Sequence, residues 1–297
     1  AVGNGVGLSS TLMFDFPTAR QVAQHLQGGQ SVSASVFETV GEAQAARSSG
    51  VVEVVGMSVS LAMGVAGLDA LYQMSHGGSD LLGEIPLSRW DLSRSSELGD
   101  CPPEVASRER HGGFMRDMEL FENSFFSISA AEASAMDPQQ RQLLERGYSA
   151  LHASGMTKST LMGSLVAVNV GQWSSEFGSV LRSMPAGRSV YASTGFSCSV
   201  TCGRVSFALG LHGPCASFDT ACSSSLVAAR IACTAQAPGY WYEGILAGVG
   251  INLDPRMTLA CNTAGMLAAD GRCKTLDRRA NGYVRSEAIG AAVLETK

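Results

Sequence analysis

Gly213-Pro214-Cys215-Ala216-Ser217-Phe218-Asp219-Thr220-Ala221-Cys222-Ser223-Ser224-Ser225-Leu226-Val227-Ala228-Ala229 is the stretch on which the fold turns. A short apolar run, Cys215–Asp219, leads into small residues and then into a helical pattern in which Leu226, Ala229 and Ile231 are expected to face inward. Such a strand-to-helix turn sets Cys222 at a helix N-terminus, where unpaired backbone N–H groups and the helix dipole favour thiolate over thiol. Cys222 is therefore a nucleophile candidate. The same N–H groups suit the oxyanion that forms when a thioester carbonyl is attacked. Ala221 and Ser223–Ser225 are small enough to admit a substrate. Cysteine is also a frequent buried space filler, and the other seven are read that way.

Outward from this turn, apolar runs alternate with helical patterns. Val51–Gly56 is β-branched and closed by Gly, as a buried first strand would be. Leu68–Ser75 has helical spacing. Asp137 followed by Pro138 reads as an N-cap and first helical residue, with Leu143, Leu144, Tyr148 and Leu151 as the apolar stripe and Gly155 as the stop. Leu165–Val170, Gly244–Gly250 and Ala288–Leu294 complete the strands. Interleaved strands and helices imply a layered α/β domain. Residues 28–50, rich in Gly, Ser, Ala, Gln and Glu, read as a linker after a short helical run at Ala19–Leu26.

Composition narrows the class. The 297 residues are 45% hydrophobic and only 16% charged, which disfavours disorder and calls for extensive burial or a partner interface. A net charge of −5 with no dense Lys/Arg tract lacks the electrostatic footprint of a nucleic-acid binder. No window approaches 18 consecutive apolar residues, so no membrane-spanning helix is expected. The eight cysteines have neither the density nor the spacing of a disulfide scaffold, and reduced thiols in a cytoplasmic compartment are the expectation. Cys198-x3-Cys202 has no second ligand pair, which argues against zinc. Gly3–Gly7 lacks the preceding strand of a dinucleotide fingerprint, and Gly56–Ser60 lacks the last Gly of a hydrolase elbow. Without an initiating Met or a signal layout at its N-terminus, the chain reads as an excerpt.

Asp219–Leu226 resembles the nucleophile motif of β-ketoacyl synthase domains of polyketide and fatty acid synthases. Other stretches follow in that family's order: Val54–Ser58, Pro86–Asp91, Phe121–Phe126, Met136–Arg141, Asp270–Asp277 and Gly282–Glu287. The likeness runs from about Val51 to the C-terminus, in the style of modular polyketide synthases. Gly7–Thr18 resembles the tail of an acyl carrier protein, which implies a carrier remnant at 1–27, a linker at 28–50 and the N-terminal portion of a ketosynthase at 51–297. The carrier's phosphopantetheine-bearing Ser has no counterpart here. One departure is Leu61-Ala62-Met63-Gly64, where the family has Arg-Phe-Pro-Gly.

The resemblance implies a thiolase-like fold, of which these residues cover the first half and a little more. It implies that Cys222 accepts an acyl chain from a carrier thioester, for condensation with a decarboxylated malonyl-type extender to a β-ketoacyl thioester. No cofactor or metal is bound directly, the substrates riding on phosphopantetheine of carrier domains. A homodimer through the strand around Ala216–Phe218 is also implied. The family's two His lie after the nucleophile, whereas His25, His76, His111, His152 and His212 all precede Cys222. His76, His111 and His212 read as loop or turn residues, and the chain alone is expected not to condense, and to fold poorly for want of the other half. Asp137 is a cap rather than an acid, and Glu287 and Asp277 are explained equally by loop salt bridges. The alternatives are a thiolase-fold acyltransferase that does not condense and a non-catalytic dimerising partner; retention of Cys222 speaks against the latter.

Overall fold

The computed structural model describes residues 51–91, 107–235 and 243–296. The chain divides between Ser49 and Gly50, and every described residue belongs to the second unit. The expected carrier remnant, the linker and Cys101 lie outside the described residues.

Strand β1, Val52–Leu61, does not stop at Gly56 but runs through it, with a register shift between Val54 and Gly56. The glycine is needed for proximity: a Cβ there would stand 2.3 Å from the Ala150 carbonyl oxygen. The segment Leu61–Gly64, where the sequence departs from the family, makes a 3-10 turn with Met63 and Gly64 both left-handed (φ 59° and 81°). Helix α1, Leu68–Gly77, stops at left-handed Gly78 and carries the exposed His76 in its last turn, not in a loop. Strands β2, Gly83–Glu84, and β3, His111–Gly112, form a small antiparallel ladder, so His111 too sits in a strand.

Helix α2, Ala130–Ala135, is capped by Ser129, and helix α3, Pro138–Ala153, by Asp137, whose side chain accepts from Gln139 N at 2.8 Å. Leu143, Leu144 and Leu151 of α3 are fully buried and Tyr148 packs beside them. Strand β4, Ala167–Gln172, begins two residues later than the sequence suggests, leaving Leu165 exposed. After helix α4, Phe177–Ser183, comes α5, Cys198–Leu209, which the apolar pattern did not announce. Strand β5, Cys215–Phe218, helix α6, Ser224–Ala235, strand β6, Glu243–Gly250, helix α7, Pro255–Thr263, and strand β7, Ala288–Thr296, follow.

The main sheet has the order β1-β7-β6-β4-β5. β7 is antiparallel to both neighbours, whereas β6, β4 and β5 are parallel. Side chains alternate across it. Ile245, Ala247, Val249, Ile289, Ala291 and Val293 point into a core shared with α3 and α5. The alternate positions, Leu246, Gly248, Ala288, Gly290 and Ala292, face the other side, where α6 lies over β4 and β6. This is the layered α/β arrangement expected.

Helix α6 corrects one expectation. Leu226 and Ile231 are exposed (72% and 41%), while Ser224, Ala228 and Ala232 are buried and Ala229 is half-buried. The cause is how close α6 lies to the sheet. A Cβ on Gly171 would stand 2.4 Å from Ser225 N, and one on Gly248 would stand 2.9 Å from Ser225 Cβ. Only small residues fit that interface, so the large ones turn away. Among the described residues, no helix is long and apolar enough to cross a membrane.

Candidate active site

Cys222 occupies a 3-10 turn, Ala221–Ser223, between the end of β5 and the start of α6. The turn is stapled by its own polar side chains. Asp219 Oδ1 accepts from Ala221 N (3.1 Å), Ser224 Oγ accepts from Thr220 N (3.0 Å) and donates to the Ala221 carbonyl (2.6 Å), and Ser223 Oγ donates to the Thr220 carbonyl (2.8 Å). Ala221 is held left-handed at φ 55°, a conformation that costs a non-glycine residue about 1–3 kcal/mol. These bonds hold the strained residue in place and aim the next one, Cys222, outward. Cys222 is exposed, at the wall of a cavity of about 490 Å³.

That cavity lies over the small-residue side of the sheet, between Met57 and Val59 of β1, Leu246 and Gly248 of β6, and Gly290 and Ala292 of β7. Its walls are mainly apolar, which suits an acyl chain rather than a phosphate. Trp173 also lines a second cavity of about 230 Å³, together with Glu176, Asn252, Tyr283 and Arg285. There Arg285 stands 5.9 Å from the Trp173 ring centroid and pairs with Glu176, whose other oxygen accepts from Leu253 N and Asp254 N at 2.7 Å each. The Tyr283 phenol is pushed up to about 12, first by burial and next by the Cys261 thiol, with Cys222 adding to the rise.

Glu287 is a buried hub. It takes Arg89 Nε (3.2 Å) and Nη2 (2.8 Å), Met115 N (2.7 Å) and Asn252 N (3.1 Å). Burial pushes its carboxyl above the usual range, against the pull of Arg89. The salt-bridge reading therefore describes Glu287, and Asp277 likewise pairs with Arg279 at the surface. Asp137 is a buried cap, its carboxyl raised by burial despite hydrogen bonds from Ser175 and Gln139. His212 is exposed before the start of β5, its N–H on the Ser164 carbonyl at 2.7 Å, whereas Cys222 follows the other end of that strand. Sequence reasoning did not single out Trp173, Glu176 or Asn252. The available signal was Arg285, inside a motif already noted.

A mixed sheet between helical layers, with a thiol at the turn out of its edge strand, defines the thiolase-like class. Residues 50–297 match the family model described as Beta-ketoacyl synthase, N-terminal domain. Polyketide synthase GfsB of Streptomyces halstedii is 37% identical over 98% of this chain, and Pikromycin polyketide synthase component PikAII of Streptomyces venezuelae 35% over 98%. Phthioceranic/hydroxyphthioceranic acid synthase of Mycobacterium tuberculosis is 37% identical over 82% of it. The ketosynthase from module 6 of the bacillaene synthase of Bacillus subtilis superposes with a TM-score of 0.73 at 32% identity, covering 82% of this chain and 40% of that one. The chain belongs to the β-ketoacyl synthase family, as the N-terminal domain of a ketosynthase of the modular polyketide synthase type. It spans 5%, 8% and 11% of the lengths of the three curated relatives.

Proposed function

We propose that this chain supplies the acyl-accepting part of a polyketide ketosynthase, with Cys222 as nucleophile. The Cys222 sulfur attacks the carbonyl carbon of an acyl thioester carried on the phosphopantetheine of an acyl carrier domain. The tetrahedral oxyanion collapses, the carrier sulfur leaves as a thiol after taking a proton, and the acyl group remains on Cys222. A malonyl-type extender on a second carrier then loses CO2, and its carbanion attacks the acyl-Cys to give a β-ketoacyl thioester. The observation that carries this is an exposed cysteine at the strained turn into α6, on the wall of a mainly apolar cavity.

The enolate-like charge left by decarboxylation calls for paired donors such as imidazoles, which the family places after the nucleophile. All five His of these 297 residues precede Cys222, and in the second half of this function the chain depends on residues other than its own. Among the described residues β5 is an edge strand with one side unpaired, consistent with a homodimer through it. For residues 1–50 we keep the carrier remnant at 1–27 and linker at 28–50. Their support is that the two streptomycete relatives align over 98% of the chain, while the mycobacterial one aligns over 82%.

The test is acylation by a short acyl-pantetheine thioester followed by intact and peptide mass spectrometry. One acyl group should appear on the peptide that contains Cys222, and Cys222→Ala should lower its rate by at least about a thousandfold. Undiminished acylation of that variant would overturn the assignment. Malonyl-carrier decarboxylation by the chain alone should stay at background.

A further inference from the structure

We propose that Cys202 and Cys215 form a reversible dithiol–disulfide site, oxidised by hydrogen peroxide, that clips α5 to edge strand β5. The site stands apart from Cys222 and from the acyl-transfer reading. Cys202 lies in the second turn of α5, and Cys215 is the first residue of β5. The two elements pack face to face, and the Cys202 N–H donates to Ser217 Oγ at 3.3 Å, so Ser217 points at α5. Cys215, two residues earlier on the same strand, shares that face. The Cys202 thiol is held above the usual cysteine range first by burial, with Ser217 opposing, and then by Cys215.

The two thiols divide the chemistry. Cys215 is exposed and meets the oxidant, whereas Cys202 is buried at 4% exposure and meets only what Cys215 becomes. The Cys215 sulfur attacks one peroxide oxygen, the O–O bond breaks, and one water leaves a sulfenic acid. The Cys202 sulfur then attacks the Cys215 sulfur, the S–S bond forms, and the sulfenic oxygen departs as a second water with the Cys202 proton. Two thiols and one peroxide thus become one disulfide and two waters. A small-molecule thiol reverses the step by exchange. Because the Cys215 side chain stands out of the plane of the sheet, the clip leaves the backbone edge of β5 free for pairing.

The experiment treats the purified 297-residue chain with hydrogen peroxide, blocks free thiols with iodoacetamide and digests with trypsin. Peptide Ser189–Arg204 should be found linked to Val205–Arg230, two hydrogens lighter than the pair, with fragment ions locating the bond at Cys202 and Cys215. The link should survive Cys198→Ser and Cys222→Ser, vanish in Cys215→Ser and Cys202→Ser, and revert with dithiothreitol. A link that persists in Cys215→Ser, or runs through Cys198 or Cys222, overturns the proposal. So does oxidised Cys215 with no link, or a scramble involving all the cysteines. Cys215 is exposed, so its replacement by Ser tests the site even where Cys202→Ser fails to fold.

Discussion

The two sides of the main sheet differ in what covers them. Toward α3 and α5, the strands present Ile245, Val249, Ile289 and Val293, and the helices answer with Leu143, Leu144, Leu151, Val205 and Leu209. That side is closed. Toward α6, the same strands present Gly248, Gly290, Ala288 and Ala292, α6 covers the β4–β6 end, and Leu71 of α1 reaches the cavity at the β1 end. One side carries the burial that stabilises the domain, at roughly 25 cal/mol per Å² of apolar surface. The other keeps its residues small and leaves a cavity at the thiol. Stability and chemistry thus occupy opposite faces of the same strands, set by which positions of a two-residue alternation are large.

Substitutions can break or sharpen that contrast. The largest effect belongs to Gly56→Ala on the closed side, where the added methyl meets the Ala150 carbonyl at 2.3 Å and Ser154 N at 2.8 Å. A loss near the upper end of about 1–3 kcal/mol is expected in urea unfolding. A variant as stable as the parent would mean α3 is not seated on β1 as described. A smaller effect attends Gly290→Val, since nothing lies within 4 Å of a Cβ there. Unfolding should shift by no more than about 0.5 kcal/mol, while acylation of Cys222 by long-chain thioesters slows by about tenfold and acetyl transfer is little changed. Equal slowing of both substrates would detach the cavity from the acyl chain.

The smallest effect is one of slope. Burial holds the Asp137 carboxyl above its ordinary value, so the folded chain binds this proton more tightly than the unfolded one. The resulting stabilisation is complete below the ordinary aspartate value and is lost as pH rises through the folded one. Asp137→Asn keeps an oxygen for Gln139 N and removes the proton, so this fall of stability with pH should flatten. A series of urea titrations from pH 4 to about pH 8 reads it, and an unchanged slope would assign the dependence to other groups.

Much of the closed side was legible in the sequence because its signals are local. The Asp137-Pro138 start and the Leu143–Leu151 stripe of α3 are neighbours in the chain, and β5, β6 and β7 fell within a residue or two of the expected spans. The Cys222 turn was legible for the same reason. Helix α5 was not, because Ser, Cys, Thr and Gly dilute its apolar face. Leu226 and Ile231 misled because size normally marks the inner face, and here the tight approach of Ser225 to Gly171 reverses the rule. Met63 and Gly64 show the remaining kind of gap: their left-handed turn is fixed by the hydrogen bond from Met63 N to the Phe114 carbonyl, some fifty residues away and invisible to any short window.

Glu287 gathers hydrogen bonds from Arg89, Met115 and Asn252, and its span to Arg89 is 198 residues. During synthesis at about 5–20 residues per second, Arg89 is therefore made roughly 10–40 s before its carboxylate exists. Until then the guanidinium and the Met115 and Asn252 amides must be kept wet or shielded by something else. Arg89 thus stays unanchored until Glu287 is made, and the main sheet closes only with β7, which follows directly in the chain.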